Sequence, residues 1–265
     1  MPGSGTYLYA ISREGDRGSA VPPPGLAGVA GAPVRTVTHG GLVAYVSTVP
    51  LEEFGEEPLR RSLEDLEWVG ETARAHHQVV EAVGAGAATA PVRLVTVYGG
   101  DDQVRDMLER RHDDFAAVLA RVAGRREWGV KVYARPAAPA AEESVPAGTE
   151  TRPGTAYLRR RKASLRGRDE AWRQAAERAE HIHESLTHIA VAGARHRPQD
   201  PQLSGRDDWM LLNGAYLVDD ARREEFAAAV DGLREPGIEV ELTGPWAPYS
   251  FTALEFAGSG GRDAG

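Results

Sequence analysis

Apolar residues recur along this chain at two spacings, which predict its helices and strands. Steps of three and four from Leu59 to Val83 give one apolar stripe on a helix that begins at Pro58. Short aromatic and β-branched runs between glycines and prolines are typical of strands. Residues 39–41 (His-Gly-Gly) join two such runs as a hairpin turn. The predicted strands are residues 6–11, 34–38, 42–48, 91–98, 128–134, 190–196, 209–218 and 238–243, and the predicted helices are 58–83, 101–122, 156–189 and 226–233.

The order of these elements predicts an α+β protein of two domains with long amphipathic helices. From Trp128 onwards the order is β-α-β-β-α-β, the pattern of ferredoxin-like domains. We expect an N-terminal α+β domain at 1–124, a C-terminal ferredoxin-like domain with an aromatic tail at 125–256, and a disordered tail at 257–265. Composition alone favours a different boundary, inside the proline-rich loop at 136–153.

Composition and charge exclude several classes of function. The net charge is −8, whereas a nucleic-acid surface needs concentrated positive charge. The chain has no cysteine, so disulfides, thiolate nucleophiles and Cys-ligated zinc are excluded. No signal peptide and no run of about 18 apolar residues is present. We therefore expect a soluble, cytoplasmic protein that binds neither nucleic acid nor a membrane.

One cluster resembles a metal site. His181, Glu184 and His188 share a helix face, but the HExxH spacing of metalloproteases is absent, which favours a polar helix face over a metal site. His76 interrupts an apolar stripe, which favours a hydrogen-bonded core histidine over a general base. No nucleophile elbow, Walker loop or dinucleotide fingerprint occurs. The sequence therefore predicts no catalytic residue, no cofactor and no metal.

Two stretches are candidates for binding a protein partner. Residues 159–162 are Arg159, Arg160, Arg161 and Lys162, which form either a solvated helix face or a surface that seeks carboxylates. Near the C-terminus, Trp246, Tyr249 and Phe251 are the kind of rigid aromatic side chains that anchor interfaces. The alternative for these rings is that they fold back and cover an open face of the second sheet.

Several motifs resemble the gas vesicle GvpF/GvpL family over almost the full length of the chain. The similar stretches are YLYAI at 7–11, the helix at 77–83 followed by PVRLVTV at 91–97, LNGAYLV at 212–218 and GPWAPYSF at 244–251. The last of these is the most specific. Leu94 and Val95 stand where the family usually has Phe-Gly, and Ala247 where Pro is common. The sequence therefore gives no reason to expect, at Val95, the special backbone geometry that a glycine permits.

The resemblance implies a minor gas vesicle component or assembly factor, located at the gas vesicle. It implies that the partners are the shell protein GvpA and other accessory proteins, and it suggests that the aromatic tail and the arginine stretch make the contacts. Two alternatives remain open. One is a ligand- or metal-responsive regulatory protein built on ferredoxin-like domains, and the other is a metal-dependent enzyme centred on His181, Glu184 and His188.

Overall fold

The computed structural model describes residues 3–16, 22–134, 153–198 and 208–252. The chain divides into two compact units. The first comprises the described residues of Met1–Glu127 and Trp246–Gly265, and the second those of Trp128–Pro245. The predicted disordered tail at 257–265 and most of the predicted loop at 136–153 lie outside the described residues.

A four-stranded sheet forms the centre of the first unit. Its strands are β1 (Ser4–Arg13), β2 (Arg35–His39), β3 (Leu42–Pro50) and β4 (Thr89–Tyr98), in the order β2-β3-β1-β4. β1 pairs antiparallel with both β3 and β4. β2 and β3 form the predicted hairpin, and Gly40 and Gly41 in its turn have φ of +58° and +80°. Glycine is needed at these two positions because a side chain disfavours positive φ.

The single helix predicted from Pro58 to Val83 is wrong. The chain instead forms α1 (Leu51–Phe54), α2 (Glu56–Ser62) and α3 (Leu66–Gly84). The break occurs because the Asp65 carboxylate accepts the N–H groups of Glu67 and Trp68, at 2.9 and 3.3 Å, and so caps a new helix start. Leu63 and Leu66, which the apolar stripe assigned to the core, are exposed at this break.

The predicted helix at 101–122 is also divided. It forms α4 (Asp101–Arg110) and α5 (His112–Val122), and Arg111 between them leaves the helical conformation at φ −115° and ψ 20°. The predicted apolar positions of both helices are buried, including Leu108 and Phe115, except for Val118, which is partly buried.

Both faces of the first sheet are covered, which explains why β1 is buried everywhere except at its two ends. Alternate side chains of a strand point to opposite faces, and each face has its own core. One face packs against α4 and α5 in a cluster of Leu8, Ile11, Val37, Leu42, Ala44, Val46, Ala90, Val92, Val104, Met107, Leu108, Phe115 and Leu119. The other packs against α3 in a cluster of Tyr7, Tyr9, Ala10, Val29, Val43, Tyr45, Val49, Phe54, Val79, Val80, Val83 and Ala247.

The second unit confirms the predicted ferredoxin-like pattern. Its elements are β5 (Arg125–Ala134), α6 (Pro153–Thr187), β6 (Ala192–Arg195), β7 (Trp209–Asp219), α7 (Arg223–Gly232) and β8 (Ile238–Trp246). The sheet order is β6-β7-β5-β8, so the first and third strands of the unit are central and the other two are at the edges. Side chains from both helices and from the sheet share one core, formed by Val130, Val132, Ala179, Ile182, Leu186, Leu212, Tyr216, Val218, Phe226, Val230 and Val240.

The two sheets have the same strand order relative to the chain, although the sequence shows no convincing internal repeat. In both units the order is second, third, first and fourth strand. Between its first two strands the second unit has α6, whereas the described residues at this place in the first unit, 14–16 and 22–34, form one 3₁₀ turn at Val29–Gly31 and no α-helix. In its described residues the first unit is therefore a variant of the same arrangement.

The aromatic tail packs within the first unit. Ala247 is buried in the core against α3, and Tyr249 packs against the same cluster. The expectation that these rings cover an open face of the second sheet is therefore wrong. Sequence order misled that assignment, because the tail follows β8 of the second unit directly.

Candidate partner-binding site

Hydrogen bonds fix the path of the tail on the first unit. After Trp246 the chain forms a 3₁₀ turn at Tyr249–Phe251. The backbone N–H and the hydroxyl of Ser250 both donate to the Glu127 carboxylate, at 2.8 and 2.6 Å. The Thr252 hydroxyl donates to the carbonyl oxygen of Pro91 on β4, at 3.1 Å. Bonds to a charged acceptor are stronger than bonds between neutral groups, so the turn is held firmly.

The three candidate tail residues differ in exposure. Phe251 is buried, and the guanidinium carbon of Arg121 lies 5.9 Å from the centre of its ring. Tyr249 is half-buried between the rings of His76 and His77, at centroid distances of 6.3 and 6.4 Å. Trp246 keeps 42% of its surface exposed. Only the indole of Trp246 therefore presents a large apolar area to a partner.

The indole of Trp246 has a defined support. Its ring centroid lies 5.6 Å from that of His77, which projects from α3. His77 Nε2 in turn lies 3.8 Å from a carboxylate oxygen of Glu81, one helical turn further along. The position of Trp246 thus depends on α3 below it and on the anchored turn that follows it.

A buried polar cluster lies beneath the tail. The Tyr7 hydroxyl is 3.0 Å from His76 Nδ1 and accepts the backbone N–H of Val95 at 3.1 Å. The tyrosine hydroxyl can donate or accept, and so can a ring nitrogen of a neutral histidine, so the tautomer of His76 determines which of the two groups donates. His76 Nε2 is buried and has no hydrogen-bond partner among the described residues. The prediction of a hydrogen-bonded core histidine is confirmed for one of its two nitrogens.

Burial sets the protonation states in this cluster. Burial lowers the pKa of His76 to about 4, and the nearby backbone of Val92 acts in the opposite direction. Burial also raises the pKa of the Tyr7 hydroxyl, with the Val95 N–H opposing it. The pKa of Tyr249 is raised by burial first and then by the carboxylates of Glu81 and Glu127. All three side chains are consequently neutral near pH 7.

Val95 has the backbone conformation that a glycine would favour. Its φ is +61°, which is rare for a β-branched residue. β4 loses register with β1 at this point, since Leu8 lies opposite Thr96 and Ala10 opposite Pro91. The irregularity turns the Val95 N–H towards the Tyr7 hydroxyl. The left-handed backbone conformation, which a valine gave no reason to expect, is therefore present at Val95 without a glycine.

The arginine stretch lies on α6 in the second unit. The side chains of Arg159 and Arg160 lie outside the described residues, and Arg161 is exposed. The stretch and the aromatic tail belong to different units. The structure therefore describes two separate candidate surfaces.

The metal candidate on α6 has no matching geometry. His188 Nδ1 lies 2.7 Å from the backbone oxygen of Glu184, and His183, outside the proposed set, is hydrogen-bonded to the Tyr216 hydroxyl at 2.8 Å. Within the part of the chain that the structure describes, no group of three or more His, Asp or Glu side chains is placed to hold a metal ion. The pairing of His183 with Tyr216 was missed, because the two residues are 33 positions apart.

No helix in the described residues is both long enough and apolar enough to cross a bilayer.

Comparison with known proteins identifies the family. The model of the family described as gas vesicle synthesis protein GvpL/GvpF matches residues 5–253, which is nearly the whole chain. The chain belongs to the GvpL/GvpF family. The chain is also 47% identical to gas vesicle protein L of Streptomyces sp. (strain CB03234), over 94% of this chain and 92% of that protein. It is 29% identical to gas vesicle protein F of the same strain, over 93% and 98%.

Two solved GvpF structures share the fold. The crystal structure of GvpF from Anabaena sp. PCC7120 matches with a TM-score of 0.65 and 19% identity, over 95% of this chain and 97% of that one. GvpF from Microcystis aeruginosa matches with a TM-score of 0.62 and 21% identity, over 94% and 99%. The α+β fold is thereby confirmed. The resemblance to GvpF/GvpL is confirmed by the family match and the related sequences, which also give the chain a role connected with gas vesicles.

Proposed function

We propose that this member of the GvpL/GvpF family is an assembly factor that acts by binding, without catalysis, and that its partner is the shell protein GvpA. The observation that supports this proposal is the exposed Trp246 indole on an otherwise buried tail. A large rigid ring at the surface is the commonest kind of interface anchor. Its neighbours Tyr249, which is half-buried, and Phe251, which is buried, pack within the first unit and hold it in place.

The Trp246 side chain is preorganised for binding. Binding costs less when the contacting side chain is already fixed, because little conformational entropy remains to be lost. Ser250 and Thr252 anchor the turn by hydrogen bonds, and His77 supports the indole. Trp246 therefore meets a partner in a conformation that it already has in the free chain.

A shell subunit fits this anchor on physical grounds. A small hydrophobic, β-rich subunit exposes apolar surface and open strand edges before it joins a shell, and both favour incorrect association. An accessory protein that covers part of this surface keeps the subunit available for addition. Association with the growing gas vesicle follows from this role, as does binding to other accessory proteins that act on the same subunit.

Capture of GvpA by purified full-length variants tests the proposal. GvpA fused to a soluble carrier is immobilised, and retention of the wild-type chain is compared with that of Trp246→Ala and Trp246→Phe. We expect Trp246→Ala to lose at least about 90% of the retention, corresponding to a tenfold weaker complex. Trp246→Phe keeps an aromatic ring and should retain an intermediate amount.

Val191→Ala provides the control, because Val191 is a comparably exposed apolar residue in the other unit. It should bind GvpA as the wild type does. Melting curves of all variants should coincide, since Trp246 and Val191 lie outside the buried core clusters. Equal capture by the wild type and Trp246→Ala would remove the tail from the proposed contact.

A further inference from the structure

A half-exposed apolar stripe lies on α6 within positive charge. Leu165 and Trp172 are 51% and 49% exposed and are seven residues apart, so they share one helix face. Arg161 and Lys162 lie one turn before Leu165, on either side of the stripe, and Arg166 follows it. We name Arg161, Lys162, Leu165, Arg166 and Trp172 the basic ridge.

The positive charge of the basic ridge is largely uncompensated. None of its three cationic side chains forms an ion pair with another described residue, whereas Arg173 nearby pairs with Glu170 at 2.7 Å. Asp169 is the one carboxylate on the ridge face, between Leu165 and Trp172. The described cations exceed this carboxylate by two charges, so the ridge favours a negatively charged partner.

The first unit has a second pair of exposed apolar side chains, with negatively charged residues nearby. Leu63 and Leu66, at the break between α2 and α3, are 48% and 85% exposed. Glu64, Glu67 and Glu71 are exposed beside them and form no ion pair with the described residues. We name Leu63, Glu64, Leu66, Glu67 and Glu71 the acidic patch.

Single exposed leucines are common on protein surfaces. These two sites differ from that background because each combines two exposed large apolar side chains with an excess of unpaired charges of one sign. The signs are opposite in the two sites. Apolar contact stabilises a complex, and complementary charge selects the orientation in which the sites meet.

We propose that the basic ridge of one copy of this chain binds the acidic patch of a second copy. The two surfaces are different, so the ridge of either copy can meet the patch of the other, and the copies associate through this contact. Because exposed charges contribute, the association weakens as salt screens them.

Sedimentation velocity of the full-length chain over a range of concentrations tests this association. The ridge-reversed variant carries Arg161→Glu, Lys162→Glu and Arg166→Glu, and the patch-reversed variant carries Glu64→Arg, Glu67→Arg and Glu71→Arg. Each variant alone should associate at least about tenfold more weakly than the wild type. An increase in salt to about 0.5 M should weaken wild-type association in the same direction.

The decisive sample is an equimolar mixture of the two variants. The reversed ridge is acidic and meets the reversed patch, which is basic, while the native patch of one variant meets the native ridge of the other. The mixture should therefore regain wild-type association. Arg105→Glu, Arg110→Glu and Arg223→Glu together provide the control for net charge, because these exposed residues lie outside both sites, and this variant should associate as the wild type does.

Three results would overturn the proposal. A wild-type chain that stays monomeric at low salt and high concentration excludes the association. Failure of the mixture to regain association shows that the ridge does not meet the patch. Loss of association in the ridge-reversed variant alone, with the patch-reversed variant unaffected, assigns the ridge to another partner surface. Coincident melting curves of the variants show that the folded state is being compared.

Discussion

The Tyr7 hydroxyl accepts the backbone N–H of Val95, whose φ of +61° is unusual for a β-branched residue. The same hydroxyl is hydrogen-bonded to His76 on α3. Tyr7 thus connects the irregular strand β4 with α3, the helix against which the tail packs. The strained conformation at Val95 persists because the buried network around it needs the N–H in that direction.

The strain at Val95 predicts an unusual order of stability among its variants. A left-handed conformation costs a residue with a Cβ about 1–2 kcal/mol. Val95→Gly loses the side chain and relieves this strain, whereas Val95→Ala loses methyl groups and keeps it. We expect Val95→Gly to be more stable than Val95→Ala by about 1 kcal/mol, as measured by denaturant unfolding.

Val97 on the same strand is the matched control, because its φ is not positive and it too is half-buried. At Val97 the ordinary order should hold, with Ala more stable than Gly. The same order at both positions would show that Val95 is not strained.

Gly28 occupies a position where no side chain fits. A Cβ at this position would lie 2.0 Å from the Tyr9 hydroxyl oxygen and 2.9 Å from the hydroxyl oxygen of Ser47. The Tyr9 hydroxyl cannot easily move away, because it accepts the N–H of Val29 at 2.9 Å. Gly28→Ala should therefore lower the free energy of unfolding by about 2–3 kcal/mol.

Gly70 on α3, unlike Gly28, has room for a side chain. A Cβ there would contact only the flexible end of Arg74, at 3.4 Å. Gly70→Ala should stabilise the chain by about 0.5–1 kcal/mol, since glycine is unfavourable inside a helix. Equal effects of the two substitutions in thermal or denaturant unfolding would contradict the packing around Tyr9.

The lowered pKa of His76 predicts that the folded chain loses stability in mild acid. Its pKa falls from 6.5 in the unfolded chain to about 4 in the folded one, so between these values the unfolded chain binds more protons. Stability contributed by neutral His76 is complete above pH 6.5 and falls as the pH decreases towards 4. The loss reaches about 3 kcal/mol, at about 1.4 kcal/mol for each tenfold change in proton affinity.

His76→Asn isolates this contribution, because the Asn side chain can hydrogen-bond to the Tyr7 hydroxyl as Nδ1 does but does not titrate. The difference in unfolding free energy between the wild type and this variant should become smaller by about 3 kcal/mol from pH 7 to pH 4. A difference that stays constant over this range would show that His76 titrates normally. The contributions of other titrating groups to the pH dependence are the same in both proteins and cancel in the difference.

Periodic patterns predicted most of the fold. They missed the helix break before Leu66, which is set by a local cap. The β-α-β-β-α-β order and the Gly40-Gly41 hairpin follow from residues close in sequence. The break before Leu66 does not, because the apolar stripe continues through it while the Asp65 carboxylate caps α3. An Asp followed by an apolar periodic residue was the available signal.

The site was harder to predict, because its contacts join distant parts of the chain. The anchor of the tail depends on Ser250 meeting Glu127, 123 positions away, and on Thr252 meeting Pro91. Spacing along one element carries no information about such pairs. The aromatic composition of the tail marked it as unusual, but only the fold shows that Phe251 is buried and Trp246 exposed.

Amide hydrogen exchange of the full-length chain, alone and with GvpA at about a hundredfold excess over Kd, tests the proposed contact between GvpA and the tail of the first unit. Exchange should be slowed by up to about a hundredfold at residues 246–252 and in α3 around His77, with β7 and α7 unchanged. Protection confined to the second unit, with residues 246–252 exchanging as in the free chain, would contradict it.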